Sequence, residues 1–234
     1  ISLTAECTVA ADSIGPDGLH LKIDLYGVQR RCCVPVGHPV QIGNLAAACL
    51  LSISVSGASP VEILELLPSL SPLPGRMQPV LNNRGFTVIV DHAHTPAAFE
   101  QLFTGLKLQR PNAKSVSHRI IAVFGSAGEK DREKRPMQGR VASEHADVVI
   151  LSDEDPREED PMRILSDIAA GFAPGTTRPR LIPDRRAAIA AAVNEARPGD
   201  TVLLLGKGHE QTIEYADHTQ PWDEFAEARA ALEA

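Results

Sequence analysis

The pattern of hydrophobic and polar positions changes twice along the chain. Residues 1 to about 36 alternate polar and apolar side chains, and turn residues interrupt the alternation at 15–18. Such a pattern predicts antiparallel hairpins. Residues 44–55 are then rich in Ala and Leu and stop at Gly57, and residues 60–70 repeat the form. We therefore predict two buried helices after the hairpins.

A stretch with two prolines and a glycine, residues 71–76, predicts a domain boundary, which we place between residues 1–73 and 74–234. Beyond it, apolar runs alternate with segments of helical length. The predicted strands are FTVIV, RIIAVFG, DVVILS, RLIP and TVLLLG, and the predicted helices begin near Pro96, Arg135, Pro161, Arg185 and Pro221. This alternation predicts an α/β, Rossmann-like, mostly parallel sheet with helices on both faces.

Composition and charge narrow the function classes. The chain has 234 residues and a formal net charge of −7, so it lacks the basic surface of a duplex-DNA or anionic-membrane binder. Its apolar runs are shorter than the roughly 20 residues of a membrane span, and its four cysteines form no CxxC pair. We expect a soluble, cytoplasmic protein without membrane insertion or nucleic-acid partner. Because Ile1 lies within an alternating pattern, we expect a piece of a longer polypeptide.

Charged residues follow four of the predicted strands. The segments are DHAHTP (91–96), SAGEKDREKRP (126–136), DEDPR (153–157) and KGHE (207–210). Ligands of open α/β sheets bind beyond the carboxyl ends of the strands. We therefore expect the four loops to lie along one rim.

Each loop taken alone also fits a plain structural role: a capping turn, a strand-to-helix connection, a solvated charge run or a strand-exit turn. The glycines at 125–128 and the cations Lys130, Arg132, Lys134 and Arg135 favour an anion. The acidic run around Arg157 instead suits a ligand with an ammonium and a carboxylate. Neither a GxxxxGK[ST] phosphate loop nor a zinc-ligand spacing occurs in the sequence.

In this order, six motifs resemble the Mur ligases, the ATP-dependent amino-acid ligases of bacterial cell-wall synthesis. They are NLAAA, PGRMQPV, VDHAHTPAAFE, VFGSAGEKDREKRP, ADVVILSDEDPREEDP and LLGKGHE, and the resemblance runs over roughly residues 35–234. It is strongest to the family members that add the third residue of the stem peptide. The resemblance implies that residues 1–73 are the tail of a central ATPase α/β domain and residues 74–234 a C-terminal amino-acid-binding domain.

The resemblance also implies a reaction. ATP and Mg²⁺ convert the terminal carboxylate of UDP-MurNAc-L-Ala-D-Glu to an acyl phosphate, which the amine of a diamino acid attacks. The catalytic residues and the phosphate loop would lie upstream, so this chain alone is expected to be inactive, with no metal ligand of its own. We expect the protein to be a monomer.

The resemblance assigns site residues by matching each family motif to this sequence. Those matched to ATP binding are Asn44 near the adenine, Arg76 at the phosphates, Asp91 and His94. Those matched to amino-acid binding are Lys130, Glu154, Asp155, Pro156, Arg157, Gly206 and Glu210.

Three residues depart from the family pattern. His92 replaces a Tyr, Lys130 replaces an Arg, and Asp155 replaces an Asn, so a more acidic pocket is expected. Arg157 is kept, and its guanidinium suits the distal carboxylate of meso-diaminopimelate. We favour that amino acid, with lysine or ornithine as the alternative.

Two other functions remain open at this point. One is a non-catalytic amino-acid-binding module on the same fold. The other is a sister ligase, such as folylpolyglutamate synthetase or the ligase half of cyanophycin synthetase.

Overall fold

The computed structural model describes residues 2–4, 6–15, 18–35, 41–108 and 118–234. The chain divides into two compact units, Ile1–Leu73 and Pro74–Ala234. The middle of the predicted turn at 15–18 lies outside the described residues. None of the described helices is long and apolar enough to cross a membrane.

The first unit pairs an antiparallel sheet with two helices. Its strands follow the order β1-β2-β3-β4 in the sheet, which confirms the predicted hairpins. The elements are β1 (Ser2–Thr4), β2 (Cys7–Gly15), β3 (Gly18–Leu25), β4 (Val28–Val34), α1 (Ile42–Ser56) and α2 (Pro60–Leu66), followed by a 3-10 turn at Leu67–Ser69. Alternate residues of β3, from Leu19 to Leu25, form one core with Leu45 and Ala46 of α1.

The local sequence explains where both helices begin and end. Gly57 ends α1 with a φ of 70°, a conformation that glycine adopts without a Cβ penalty. Ser59 begins α2, and its side chain and that of Glu62 cap each other's backbone N–H groups.

The prediction that both helices are buried is wrong for one face of each. Leu51 and Val55 of α1 are 64% and 86% exposed, and Val61 and Leu66 of α2 are also exposed. An Ala- and Leu-rich composition gives no sign of which side is covered, because apolar residues occur all round α1.

The second unit is built on a six-stranded sheet of order β5-β6-β10-β7-β8-β9. The edge strand β5 is antiparallel to β6, and the other pairs are parallel. The strands are β5 (Gln78–Val80), β6 (Thr87–Asp91), β7 (Ile120–Phe124), β8 (Val148–Leu151), β9 (Arg180–Leu181) and β10 (Thr201–Leu205). The helices are α3 (Pro96–Leu108), α4 (Lys134–His145), α5 (Pro161–Ala169), α6 (Arg185–Glu195) and α7 (Glu224–Glu233).

The helices cover both faces of this sheet. Odd and even positions of the strands belong to different cores: Leu203 packs with α3, α4 and α5, whereas Leu204 packs with α6 and α7. This arrangement explains why the strands are apolar at nearly every position. The predicted α/β sheet is thereby confirmed.

Three strands and one helix boundary differ from the sequence prediction. The strand β5 and the hairpin of β11 (Thr212–Glu214) and β12 (Thr219–Pro221) are too short and too polar to give a periodic signal. Pro221 lies in β12, so α7 begins at Glu224 instead of near Pro221. Asp223 caps α7 by accepting a hydrogen bond from the Ala226 N–H.

Candidate functional site

The four charged loops do meet at the carboxyl edge of the second unit's sheet. Gly206 N, which follows β10, donates to Asp91 O at the end of β6, 3.1 Å away. Ser152 N, which follows β8, donates to Phe124 O at the end of β7, 2.9 Å away. The register of the parallel strands therefore brings residues more than 100 positions apart in the sequence into one site.

Two of these loops pack backbone against backbone. Gly128 N donates to Asp155 O over 2.8 Å, and Arg157 Nη1 donates to Gly128 O over 2.9 Å. A Cβ at Gly128 would lie 1.9 Å from Pro156 O, so this approach requires a glycine. The loop at 125–130 and the loop at 153–157 are thus one structural assembly.

Arg157 is held by protein groups at two of its three guanidinium nitrogens. Its Nε donates to Glu214 Oε2 over 2.8 Å, in addition to the bond from Nη1 to Gly128 O. Its backbone φ is 52°, an uncommon conformation for a residue with a Cβ. Within the described residues, Nη2 is the nitrogen that these bonds leave for a ligand.

Asp155 pairs with a buried cation. Lys207 Nζ lies 2.8 Å from Asp155 Oδ1 and 2.7 Å from Glu210 Oε2, and the Lys207 side chain is only 1% exposed. The ammonium therefore balances the extra negative charge of Asp155. This lysine makes the pocket less acidic than the substitution of Asp155 for Asn suggests by itself.

Glu154 lies buried between the loops. Its Oε2 has no hydrogen-bond partner within the described part of the chain. Burial raises the pKa of Glu154, while the nearby cations Lys134 and Arg185 act to lower it. A Cβ at Gly206, whose φ is 102°, would lie 2.9 Å from Glu154 Oε2. This carboxyl group and Gly206 therefore share one confined space.

Asp153 was not among the residues matched to amino-acid binding, although it is the first residue of the charged segment DEDPR. Burial raises the pKa of Asp153 to about 6. The Tyr215 hydroxyl donates to its Oδ2 over 3.4 Å, and its Oδ1 has no partner among the described residues. The sequence signal for Asp153 is its place in this segment, directly after β8.

On the side of the site nearest Pro74, Asp91 organises the backbone. Its Oδ2 accepts from Met77 N and its Oδ1 from Ala93 N, both over 2.7 Å. Burial raises the pKa of Asp91, and the positive charge of Arg76 acts to lower it. The charge of Arg76 therefore acts on this carboxylate.

His92 contacts two other histidines. Its ring centroid lies 4.8 Å from that of His94 and 5.1 Å from that of His209. Its Nδ1 is 3.9 Å from Glu210 Oε1, too long for a hydrogen bond. Burial, followed by the charge of His94, lowers the pKa of His92. The neutral form of the ring is thus favoured in the folded protein.

The prediction that four cations face an anion is wrong for Arg135. Arg135 is buried and bonds Glu159 and Asp167 at 3.0 Å, so it holds the loop instead of facing a ligand. Arg132 lies 3.3 Å from Glu159, but its side chain is 59% exposed. Lys130 is exposed.

Asn44 lies on α1 of the first unit and is exposed. In the second unit, a cavity of about 610 Å³ lies beside the loop at 207–210 and is lined by residues that include Gln78, Glu210, Trp222 and Phe225. Across the described residues, no three His, Cys, Asp or Glu side chains are grouped so that they could hold a metal ion. Mg²⁺ therefore has no assigned ligand in this part of the chain.

The sequence matches one family, described as "Mur ligase, glutamate ligase domain", over residues 75–208. The chain is 48% identical over 190 residues to a UDP-N-acetylmuramyl-tripeptide synthetase of Roseiflexus sp. (strain RS-1), covering 78% of this chain and 36% of that protein. It is 42% identical over 186 residues to a UDP-N-acetylmuramoyl-L-alanyl-D-glutamate–2,6-diaminopimelate ligase of Geobacillus thermodenitrificans, covering 80% of this chain and 36% of that protein. The chain thus spans little more than a third of the length of either relative.

Solved structures show the same fold. A UDP-N-acetylmuramoyl-L-alanyl-D-glutamate–2,6-diaminopimelate ligase superposes with a TM-score of 0.64 and 31% identity, covering 99% of this chain and 46% of that one. A folylpolyglutamate synthase of Mycobacterium tuberculosis, solved with ADP and AMPPCP, gives a TM-score of 0.68 at 19% identity, covering 86% of this chain and 45% of that one. The second likeness concerns the fold alone.

Proposed function

The chain belongs to the Mur ligase family, and on that premise we propose that it forms the amino-acid-binding end of an ATP-dependent ligase of peptidoglycan synthesis. The reaction would join a diamino acid, with meso-diaminopimelate favoured, to UDP-MurNAc-L-Ala-D-Glu. Residues 74–234 would be a C-terminal domain that binds the amino acid. Residues 1–73 would be the last part of the central ATPase domain, whose phosphate loop lies elsewhere in the whole protein.

The observation that carries the proposal is the meeting of opposite charges at one rim. Arg157 offers a nitrogen of its guanidinium beside the loop at 125–130, and Glu154 and Glu210 offer carboxylates on the neighbouring loops. A zwitterionic ligand needs such a pair of charges at a fixed separation. Gly206 would let the ligand approach the backbone, and Lys130 would add a mobile cation at the rim.

The nucleotide would contact a different group of residues. Arg76 would meet its phosphates, as the family motif implies, and the hydrogen bond from the adjacent Met77 N–H to the Asp91 carboxylate would hold the backbone beside it. His94 and Asn44 complete the set that the family motifs assign. When bound, ATP supplies the phosphoryl group that activates the acceptor's carboxylate.

In the reaction, this chain's own residues would bind the amino acid and orient it. Holding the amino acid by two charged ends leaves one amine to be directed at the activated acceptor, which lowers the entropic part of the barrier. Covering the site would exclude the water that hydrolyses an acyl phosphate.

Lysine or ornithine remains the second candidate for the amino acid. Lys130 and Asp155 favour it, because both depart from the residues that the diaminopimelate-adding family members carry. Against it stands Arg157, since neither amino acid has a distal carboxylate for a guanidinium to bind.

An acceptor and amine screen with the full-length protein tests the proposal. We expect ADP release and a product of the correct mass only when ATP, UDP-MurNAc-L-Ala-D-Glu and meso-diaminopimelate are present together. If product forms with lysine or ornithine but not with meso-diaminopimelate, the amino acid that the enzyme adds is lysine or ornithine. Activity with a folate acceptor would identify the protein as a folylpolyglutamate synthetase instead. Binding of the amino acid without ATP turnover would identify it as a non-catalytic amino-acid-binding module.

A further inference from the structure

The second unit contains a fully buried ion pair directly beneath the rim. Arg185, the first residue of α6, and Glu224, the first residue of α7, both have side chains of 0% exposure. Three guanidinium-to-carboxylate contacts of 2.6, 2.9 and 3.2 Å join them, and Trp222 Nε1 donates to Glu224 over 2.6 Å. Neither Arg185 nor Glu224 belongs to the six motifs that carry the family resemblance.

The remaining hydrogen bonds of Arg185 go to the site. Its Nη1 donates to Asp153 O over 3.0 Å, and its Nη2 donates to Leu205 O over 2.8 Å. Asp153 O is the carbonyl immediately before Glu154, and Leu205 O is the carbonyl immediately before Gly206. One planar side chain therefore ties together the starting points of the two loops.

The distance between these two loops determines how their side chains face a ligand, because the loops lie in close contact. Glu154 Oε2 lies only 2.9 Å from where a Cβ of Gly206 would be, and Lys207 Nζ bonds Asp155 Oδ1 across the same gap. A shift of either loop by a few tenths of an ångström would change how Glu154, Asp155 and Glu210 face a ligand. A geometric error of about 1 Å can reduce a rate by about 100-fold.

We propose that Arg185 is a positioning residue for the amino-acid site: its buried guanidinium, anchored by Glu224, sets the spacing of the loops that begin at Asp153 and Gly206. The expected change in the KM for the amino acid rests on the proposed function. The expected change in the spacing of the two loops does not. Replacing Arg185 by Lys keeps the charge beside Glu224, but one ammonium cannot reach Asp153 O, Leu205 O and both oxygens of Glu224 as the guanidinium fork does.

The chain offers a matched control in the next residue. Arg186 also lies on α6 and forms a bidentate pair with α7, through Glu227. Its side chain is 67% exposed, and its hydrogen bonds reach neither of the two loops. Like Arg185→Lys, Arg186→Lys therefore replaces a guanidinium that joins α6 to α7, but it leaves the spacing of the two loops unchanged.

The first test is kinetic and uses the full-length ligase with meso-diaminopimelate and ATP. For Arg185→Lys we expect the KM for the amino acid to rise about tenfold or more, with the KM for ATP within about twofold, and no change for Arg186→Lys. A folded Arg185→Lys enzyme with an unchanged amino-acid KM would overturn the proposal. Equal changes in both KM values would assign Arg185 a general structural role and overturn it as well.

A second variant covers the case in which Arg185→Lys does not fold. The pair Arg185→Met with Glu224→Gln removes both buried charges, and such neutral replacements are often tolerated. The amide can still accept from Trp222 Nε1. We expect this variant to fold and to show the raised amino-acid KM, because the bonds to Asp153 O and Leu205 O are gone. A folded double variant with the wild-type KM would also refute the positioning role.

Hydrogen–deuterium exchange separates this inference from the proposed function. In Arg185→Lys, amides at 153–157 and 206–210 should exchange faster, while the central strands should not. If the wild-type protein lacks ligase activity but Arg185→Lys shows the faster exchange, the proposed function fails and the positioning role stands. Unchanged exchange in both loops would eliminate the positioning role whatever the activity.

Discussion

At the scale of single residues, the site depends on charges that protein groups already hold in place. Arg157 bonds Glu214 and Gly128 O, and Lys207 bonds Asp155 and Glu210. A ligand would therefore meet side chains that lose little conformational freedom on binding. Such preorganisation favours affinity and orientation together.

Replacing Arg157 should impair use of the amino acid specifically. Loss of a charged hydrogen bond is worth about 1.5–3 kcal/mol, so Arg157→Ala should raise the KM for meso-diaminopimelate by roughly 10- to 150-fold. Steady-state kinetics of the full-length enzyme at saturating ATP would measure this. Arg140→Ala is the control, since Arg140 is an exposed arginine that pairs with Glu144 on its own helix. An unchanged KM in Arg157→Ala would argue against meso-diaminopimelate.

The buried carboxyl group of Asp153 should make stability depend on pH. Its pKa of about 6 lies above the usual value of 3.8, so the folded state holds a proton that the unfolded state releases between these pH values. The free energy of unfolding should therefore fall by up to about 3 kcal/mol as the pH rises from 4 to 7 on account of this group.

Comparison with Asp153→Asn isolates that contribution, because an amide does not titrate. Chemical denaturation at several pH values should show the variant gaining stability relative to the wild type as the pH rises from about 4 to about 6, with no further gain above that. A constant difference between the two proteins from pH 4 to 7 would mean that Asp153 has an ordinary pKa.

At the scale of elements, the parallel strands bring the loops together and glycines let them touch. Gly128 is the clearest case, since its N–H and C=O both bond the loop at 153–157. The strand register alone would leave these two loops adjacent but not joined.

Gly128→Ala should therefore separate the two loops. The added Cβ would lie 1.9 Å from Pro156 O, and backbone atoms cannot give way as a flexible side chain can. We expect a roughly tenfold rise in the amino-acid KM with a smaller change for ATP, measured by steady-state kinetics.

Gly43→Ala provides the matched comparison. Among the described residues, a Cβ there meets nothing within 4 Å, and alanine in a helix is more favourable than glycine by about 0.5–1 kcal/mol. Activity in this variant should be unchanged. A Gly128→Ala enzyme as active as Gly43→Ala would show that the loops need not pack as described.

The sequence allowed the main elements of the sheet to be predicted but not all of the site. Strands such as β7 and β10 are short, continuous apolar runs between helices, a pattern typical of strands in a sheet that is covered on both faces. The hairpin of β11 and β12 lacks such a pattern, yet it supplies Glu214, the partner of Arg157.

Long-range pairing accounts for the errors in the candidate site. Arg135 was expected to face an anion, but its partners Glu159 and Asp167 are 24 and 32 residues away along the chain. Lys207 meets Asp155 across 52 residues, and Arg185 meets Glu224 across 39. Motifs bring such residues to attention, but only the fold shows which of them pair with each other.

At the scale of the whole molecule, the residues proposed to bind the amino acid all lie in one of the two compact units, Pro74–Ala234. The residues proposed to bind the nucleotide are divided between the units. Arg76, Asp91 and His94 belong to Pro74–Ala234, and Asn44 lies on α1 of Ile1–Leu73.

The central claim is that the loops beyond β7, β8 and β10 bind the amino acid, and a crystal structure of the full-length protein with meso-diaminopimelate and ADP tests it most directly. We predict that one carboxylate of the amino acid lies within about 3 Å of the Arg157 guanidinium, a hydrogen-bond distance. An ammonium of the same molecule should contact Glu154 or Glu210. Density for the amino acid at any other place in an enzyme that turns it over would contradict the account.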